Sequence, residues 1–182
     1  MRKMLALAVA ATSWASCAPA AEQDAGFYAG LALGQTRLTD WCNSAPGVTI
    51  SACEDSDTGW KLLGGYRFNR YLAIEATYVD WGKVSGTANG ISVSAEQTSW
   101  GAGVVGSLPI NAQFSIFGKA GFLKTEQQIR RPGATFTRDD DEFNYGLGVK
   151  YAFTPSWAMR AEWERTDQLK VEMISIGAEF RF

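Results

Sequence analysis

The stretch Glu172-Met173-Ile174-Ser175-Ile176-Gly177-Ala178-Glu179-Phe180-Arg181-Phe182 decides how the chain is read. Taken by twos, Ile174, Ile176, Ala178, Phe180 and Phe182 form one set, and Met173, Ser175, Gly177, Glu179 and Arg181 form the other. Successive side chains of a strand point to opposite faces, so this segment is a strand with one apolar face and one small or charged face.

The same parity runs back through the chain. Residues 26–34, 57–68, 71–81, 96–108, 113–124, 142–153 and 157–166 each alternate in this way, which with the closing strand makes eight. In 57–68, for example, Trp60, Leu62, Tyr66 and Phe68 oppose Lys61, Leu63, Gly65 and Arg67. The connections alternate in length: 37–56 is long, Asn69-Arg70 has the spacing of a tight hairpin, 83–95 is a loop or a projecting hairpin, Pro109-Ile110-Asn111-Ala112 is short, 125–141 is a charged loop, and Thr154-Pro155-Ser156 is short. Long loops at one end, tight turns at the other and strands of about ten residues are the pattern of an antiparallel up-and-down barrel that crosses a membrane.

The inward or outward sense of the two faces follows from charge. One face is apolar and aromatic throughout, and the other gathers Lys61, Arg67, Glu75, Lys119, Lys150, Arg160, Glu162, Glu164, Glu179 and Arg181. Charges cannot face lipid cheaply, so the charged face lines the lumen. A soluble barrel of the lipocalin kind is the rival architecture, and it would turn the charges outward. The reading is an all-β, eight-stranded antiparallel up-and-down transmembrane β-barrel. Aromatic residues near the short turns (Tyr66, Phe68, Tyr71, Phe153, Trp157, Phe180, Phe182) and toward the long loops (Trp60, Tyr78, Phe122, Phe143, Trp163) suit two interfacial girdles. Trp81 points inward by strict alternation and is placed on the rim above the bilayer.

The chain of 182 residues opens Met1-Arg2-Lys3, continues with an apolar run and reaches Ala18-Pro19-Ala20, the order of a secretory signal peptide. Residues 1–20 are therefore read as a leader and 21–182 as one barrel domain; the apolar run is too short to span a membrane as a helix. A lipoprotein signal at Cys17 is set aside because Trp14 stands where a small aliphatic residue belongs. The formal net charge is −2, and losing Arg2 and Lys3 makes it more negative, so there is no basic field for nucleic acid. Cys42 and Cys53 suit a disulfide in an oxidising compartment, with two free buried thiols as the alternative.

No histidine is present, which removes the usual base or ligand of triads, most zinc sites and histidine-dependent lipid-modifying barrels. An enzyme is not expected, nor a cofactor or a metal. Eight strands enclose a lumen only wide enough to be filled by side chains. The six cations and four anions assigned to it are expected to pair as a structural network rather than line a conducting pore. Glu162 and Glu164 suggest acid–base work, but their nearness to Arg160 and Lys150 favours paired structural carboxylates. The loops 37–56, 83–95 and 125–141 are the places for a host or surface ligand. In the last, Arg130 and Arg131 are candidates for lipopolysaccharide phosphates, and Asp139, Asp140 and Asp141 lack the spacing of a calcium loop.

Several segments resemble the transmembrane domain of OmpA-type outer-membrane proteins and, more loosely, small OmpX/Ail-type barrels. They are Gly64-Gly65-Tyr66-Arg67-Phe68-Asn69 with Glu75, Leu108-Pro109-Ile110, Gly148-Val149-Lys150-Tyr151-Ala152 with Thr154-Pro155, Arg160-Ala161-Glu162, and Phe180-Arg181-Phe182. The resemblance covers nearly the whole chain after the leader. It implies location in the cell outer membrane, contact with outer-membrane lipid and lipopolysaccharide, and a structural or surface-recognition role in membrane integrity or adhesion. A small porin-like channel is the alternative and a lipid-modifying enzyme the third class. The resemblance also implies that Phe180 and Phe182 form a signal for the outer-membrane insertion machinery, and that Glu75 and Arg160 match the glutamate–arginine pair that gates the lumen. The family's interior lysine is replaced by Val105 and its partner glutamate by Lys150, a departure that bears on the family's alternative-partner switch. The family's C-terminal peptidoglycan-binding domain is not expected in this chain.

Overall fold

Strands form wherever the two-residue alternation runs. The computed structural model describes residues 25–38, 50–54, 56–88, 91–131, 134–167 and 170–182. Its strands are β1 (Gly26–Leu38), β2 (Ile50–Glu54), β3 (Ser56–Arg67), β4 (Leu72–Ala88), β5 (Ile91–Pro109), β6 (Phe114–Arg131), β7 (Ala134–Ala152), β8 (Trp157–Thr166) and β9 (Val171–Arg181). Each long strand pairs antiparallel with its neighbour in sequence, and β1 pairs with β9 from Tyr28↔Arg181 to Leu38↔Val171. Eight strands thus close on themselves. The short β2 stands outside that ring and pairs with the far end of β4, from Ile50↔Ala88 to Glu54↔Ser85. Closure leaves the ring without an edge, so backbone groups within the hydrocarbon find partners in adjacent strands.

The three tight turns share one device. Asn69 Oδ1 accepts from the amides of Tyr71 (2.8 Å) and Leu72 (3.0 Å), Asn111 Oδ1 from those of Gln113 (2.9 Å) and Phe114 (2.7 Å), and Thr154 Oγ1 from that of Trp157 (2.9 Å). Short polar side chains of this kind supply acceptors where the strand ladder stops. The first turn is longer than the Asn69-Arg70 pair suggested, because β3 ends at Arg67 and β4 begins at Leu72.

At the opposite end one expectation is replaced, and for 83–95 the projecting hairpin is the alternative that the structure takes. The segment 125–141 is not a loop: β6 and β7 stay in register from Lys124↔Asp141 to Arg131↔Ala134. Residues 83–95 likewise continue β4 and β5, paired from Lys83↔Glu96 to Ala88↔Ile91. Both are projecting hairpins. Polar and charged residues do not prevent a strand once its neighbour supplies a ladder, and so composition alone misplaced the strand ends. The register shifts between Asp80 and Lys83, where Gly82 adopts φ 83°, a left-handed conformation that glycine takes without a Cβ clash. Asp57 Oδ2 accepts from the Lys83 amide (2.6 Å) and Asp80 Oδ1 from that of Gly82 (3.0 Å), which holds this bulge.

The outer surface of the ring carries Leu31, Leu33, Leu62, Ile74, Val104, Ile116, Leu147, Val149, Ile174 and Ile176, all exposed. Ring contacts mark its lower margin at Phe27–Tyr66 (4.9 Å), Tyr151–Phe153 (5.2 Å), Trp157–Phe180 (4.9 Å) and Phe180–Phe182 (5.1 Å). Its upper margin carries Trp60–Tyr78 (5.4 Å), Phe122–Phe143 (5.6 Å) and Tyr145–Trp163 (6.0 Å). From Phe143 to Phe153 the chain advances about 33 Å, or about 25 Å along the barrel axis at a tilt of ~40°, the height of an apolar band in a bilayer. On a lipid-facing surface of this kind, Leu31→Arg is expected to destabilise the barrel by about 2–4 kcal/mol in lipid vesicles. Phe136→Arg, equally exposed but on the projecting hairpin, is expected to cost about nothing. Urea titration of both variants in vesicles checks this; equal, negligible effects would mean that lipid does not contact Leu31.

Candidate functional site

Inward side chains from every stave meet in the lumen, and the charged ones form one connected cluster. Glu162 of β8 is its node. Its carboxylate lies 2.8 Å from Lys61 Nζ of β3, 2.8 Å from Lys119 Nζ of β6 and 2.9 Å from Arg160 Nη2. Glu164, two residues on and hence on the same face, takes Lys61 at 3.0 Å and Lys119 at 2.6 Å. Arg160 turns its other nitrogen to Glu75 Oε2 of β4 at 2.7 Å, and the Tyr28 hydroxyl of β1 donates to the same oxygen at 3.1 Å. Below them Glu179 of β9 holds Lys150 Nζ of β7 with both oxygens, at 2.9 and 2.6 Å, and Arg67 Nη2 at 3.1 Å; Arg160 Nη1 is 3.7 Å away.

Nine of the ten charged residues singled out in the sequence thereby stand in one network, with Lys61, Glu162 and Glu164 wholly buried at the side chain. The tenth, Arg181, lines the mouth at the short-turn end, outside the pairs just described. Buried ions are tolerated when each has partners, and here every carboxylate of the network faces at least two cations, Glu75 having Lys119 Nζ at 4.0 Å besides Arg160. A void of about 10 Å³ beside Glu75, Thr77, Lys119 and Asn144 leaves room for about one water.

Charge is only part of the filling. Tyr28, Leu63, Ala73, Val105 and Phe117 form one buried apolar cluster, and Val79, Trp81, Leu123, Val171 and Met173 form a second toward the projecting hairpins. The Arg160 guanidinium stacks over Phe117 at 4.7 Å, and Lys150 lies 5.4 Å from the Tyr28 ring, so the first cluster also contacts the cations through aromatic faces. These rings need a glycine opposite them. A Cβ at Gly65 would stand 2.6 Å from the Tyr28 hydroxyl oxygen, and one at Gly148 would stand 2.6 Å from Phe117 Cε1. Trp81 belongs to the interior and not to the rim: it is buried, and its Nε1 donates to Ser99 Oγ (2.7 Å), which in turn contacts Thr125 Oγ1 (2.7 Å). Alternation already pointed it inward. The signal for the apolar clusters was the same parity, read for apolar as well as charged residues.

Among the described residues no group of three or more metal-ligating side chains converges. Asp139, Asp140 and Asp141 follow one another along β7, and Arg138 Nε reaches Asp140 Oδ2 at 2.6 Å on the exposed hairpin. Arg130 and Arg131 face Thr135 and Ala134 in register, which puts the basic half of this hairpin at its tip and the acidic half nearer the membrane. Residues 1–20 and Cys42 lie outside the described residues; Cys53 lies on β2.

A closed antiparallel ring, apolar and aromatic outside and charged within, defines a transmembrane β-barrel of the outer-membrane type. The chain belongs to the outer membrane protein beta-barrel domain family, whose profile matches residues 4–182. It is 29% identical over 175 residues to outer membrane protein P5 of Haemophilus influenzae, covering 88% of this chain and 49% of that protein. It is 26% identical over 199 residues to outer membrane protein A of Salmonella typhi, covering 98% of this chain and 54% of that protein. The chain spans about half the length of the curated relatives it matches. In fold it is similar to Ail, the attachment invasion locus protein of Yersinia pestis, with a TM-score of 0.56 at 21% identity over 86% of this chain and 99% of that one. The protein is an OmpA-type barrel of the cell outer membrane.

Arg160→Met leaves Glu75 and Glu162 short of a cation in a buried site and is expected to lower stability by about 3–5 kcal/mol. Adding Glu75→Leu restores the charge balance and is expected to recover part of that loss. Urea unfolding of the two single variants and the double, followed by tryptophan fluorescence in vesicles, measures the coupling. A coupling of zero would contradict the geometry.

Proposed function

We propose that the protein is a closed outer-membrane scaffold that presents its long β-hairpins for surface recognition and does not conduct through its lumen. One observation carries this: Glu162 draws Lys61, Lys119 and Arg160 together from three strands across the middle of the barrel. A porin-like channel needs a continuous water path at that level, and opening one would separate buried charges from their partners. A lipid-modifying enzyme has less support, because the chain has no histidine and the carboxylates of Glu75, Glu162, Glu164 and Glu179 are engaged with cations.

In planar bilayers the protein is expected to give no steady conductance, and Glu75→Ala or Arg160→Ala is expected to raise, not abolish, any current seen. A steady wild-type current abolished by either change would replace the scaffold reading with the channel reading.

The recognition half rests on the hairpins. Arg131 stands nine residues beyond Phe122, about 30 Å along the strand, and a ligand for this tip therefore lies well outside the lipid headgroups. A sulfated or phosphorylated glycan suits a basic tip above an acidic stem. Ail, similar in fold, has also been solved with the heparin analogue sucrose octasulfate. Arg130→Ser with Arg131→Ser is expected to weaken retention on immobilised heparin about tenfold. Arg138→Ser, nearer the acidic stem, is expected to leave it unchanged; equal retention of all three proteins would sink this half of the proposal. The same reading takes Cys42 and Cys53 as a disulfide closing the first long connection. It takes Phe180 and Phe182 as the contact for the insertion machinery, and lipid and lipopolysaccharide as the neighbours of the outer face.

A further inference from the structure

The staves of the ring end at different heights, and the difference leaves a strand edge open. β8 ends at Thr166, opposite Asn144, and the chain turns back through 167–170 into β9. β7 extends beyond that point to Ala134, and along Ala134–Asp140 only β6 pairs with it among the described residues. The connection 39–49 joins β1 to β2, neither of which borders β7; β9 and β8 stand between β1 and β7 in the ring. The open edge is about 20 Å long and contains no proline, so it presents an alternating row of backbone N–H and C=O groups. Such a row is a template for an added strand.

Side chains along the edge say what kind of strand it would take. On one face Asp139 is exposed and stands directly opposite Glu126 of β6, which is exposed as well. Like charges placed opposite one another across two strands destabilise the pair, and a cation on a third strand beside Asp139 would offset this. Lys124, the cation of the same face, stands opposite Asp141 instead. On the other face Phe136 is 59% exposed, while Arg138 holds Asp140 at 2.6 Å. A partner strand therefore matches with an apolar side chain opposite Phe136 and, three positions away and on the other face, a lysine or arginine opposite Asp139. A second copy of this edge fits poorly, since it would bring the same acidic residues with it. We propose that the Ala134–Asp140 edge of β7 is a strand-addition site for an extended, basic segment of another protein. This rests on the reading that the hairpins serve recognition. Heparin retention through Arg130 and Arg131 reads the tip, so either test can fail without the other.

The probe is a capped nine-residue peptide, rich in threonine, with one phenylalanine and lysines placed to meet Phe136 and Asp139; its control carries glutamate for lysine. Fluorescence anisotropy with full-length protein folded in zwitterionic detergent is expected to show saturable binding of the lysine peptide and none of the glutamate peptide. Amide hydrogen exchange is expected to slow in 134–140 and to stay unchanged in the 83–95 hairpin. Asp139→Lys, on the exposed hairpin, is expected to weaken the lysine peptide about tenfold and to let the glutamate peptide bind. Backbone pairing is tested on the wild-type protein, whatever the fate of that variant. N-methylation of one alternate set of peptide amides is expected to abolish binding, and methylation of the other set to be tolerated, because only one set faces the edge of β7. Equal binding of both charge forms, indifference to both methylation patterns, or slowed exchange only outside 134–140 would overturn the proposal.

Discussion

Three cations from β3, β6 and β8 converge on the carboxylate of Glu162, and the middle of the barrel is organised around that contact. Hydrogen bonds between neighbouring strands define the wall, but they say nothing about what joins one side of the lumen to the other. Glu162 makes that connection, and Glu164 repeats it one step up for the two lysines. Far from water, each of these ions depends on its partners for nearly all its stabilisation, so the set acts as a unit. Glu75 and Glu179 extend the unit to β4, β7 and β9 through Arg160 and Lys150. A scaffold held in this way is stiff where it crosses the bilayer and free to vary where it leaves it.

The interior is layered rather than uniformly polar. Phe117 and Tyr28 lie against the cations by their ring faces, an arrangement that combines apolar burial with favourable charge contact. Gly65 and Gly148 make room for those rings. Above the ions, Val79, Trp81, Leu123, Val171 and Met173 separate the network from the hairpin end. Below them a vestibule of about 280 Å³ opens, with Arg67, Lys150 and Glu179 in its lining.

The projecting hairpins prolong the barrel wall, and this changes what they can present. A flexible loop would let Arg130 and Arg131 approach the acidic residues of their own segment. Register between β6 and β7 instead holds them at the tip, with Asp139 and Asp140 nearer the membrane. The exposed pairs on this surface, Lys83–Glu96 at 3.4 Å and Arg138–Asp140 at 2.6 Å, contribute little stability in water. Their effect is to pattern charge along a fixed axis.

Much of this was legible in the chain because the strand repeat is local. Alternation in 172–182 and its seven counterparts assigns nearly every side chain to lipid or lumen without reference to the rest of the molecule. That placed Lys61, Glu75, Arg160, Glu162 and Glu179 inside, and it pointed Trp81 inward as well. Strand ends were not legible at the hairpins, because whether Thr125 or Asp140 extends a strand depends on the partner across from it rather than on its own propensity. Nor was the pairing within the lumen. Lys61 and Glu162 are 101 residues apart, and Arg160 and Glu75 are 85 apart. Which cation meets which carboxylate depends on the stagger of strands around a closed ring, a property of the whole barrel that no single segment contains. The sequence by itself determined that the charges go inside; only the tertiary structure decided that Glu162 gathers three of them, because that contact joins strands far apart in the chain.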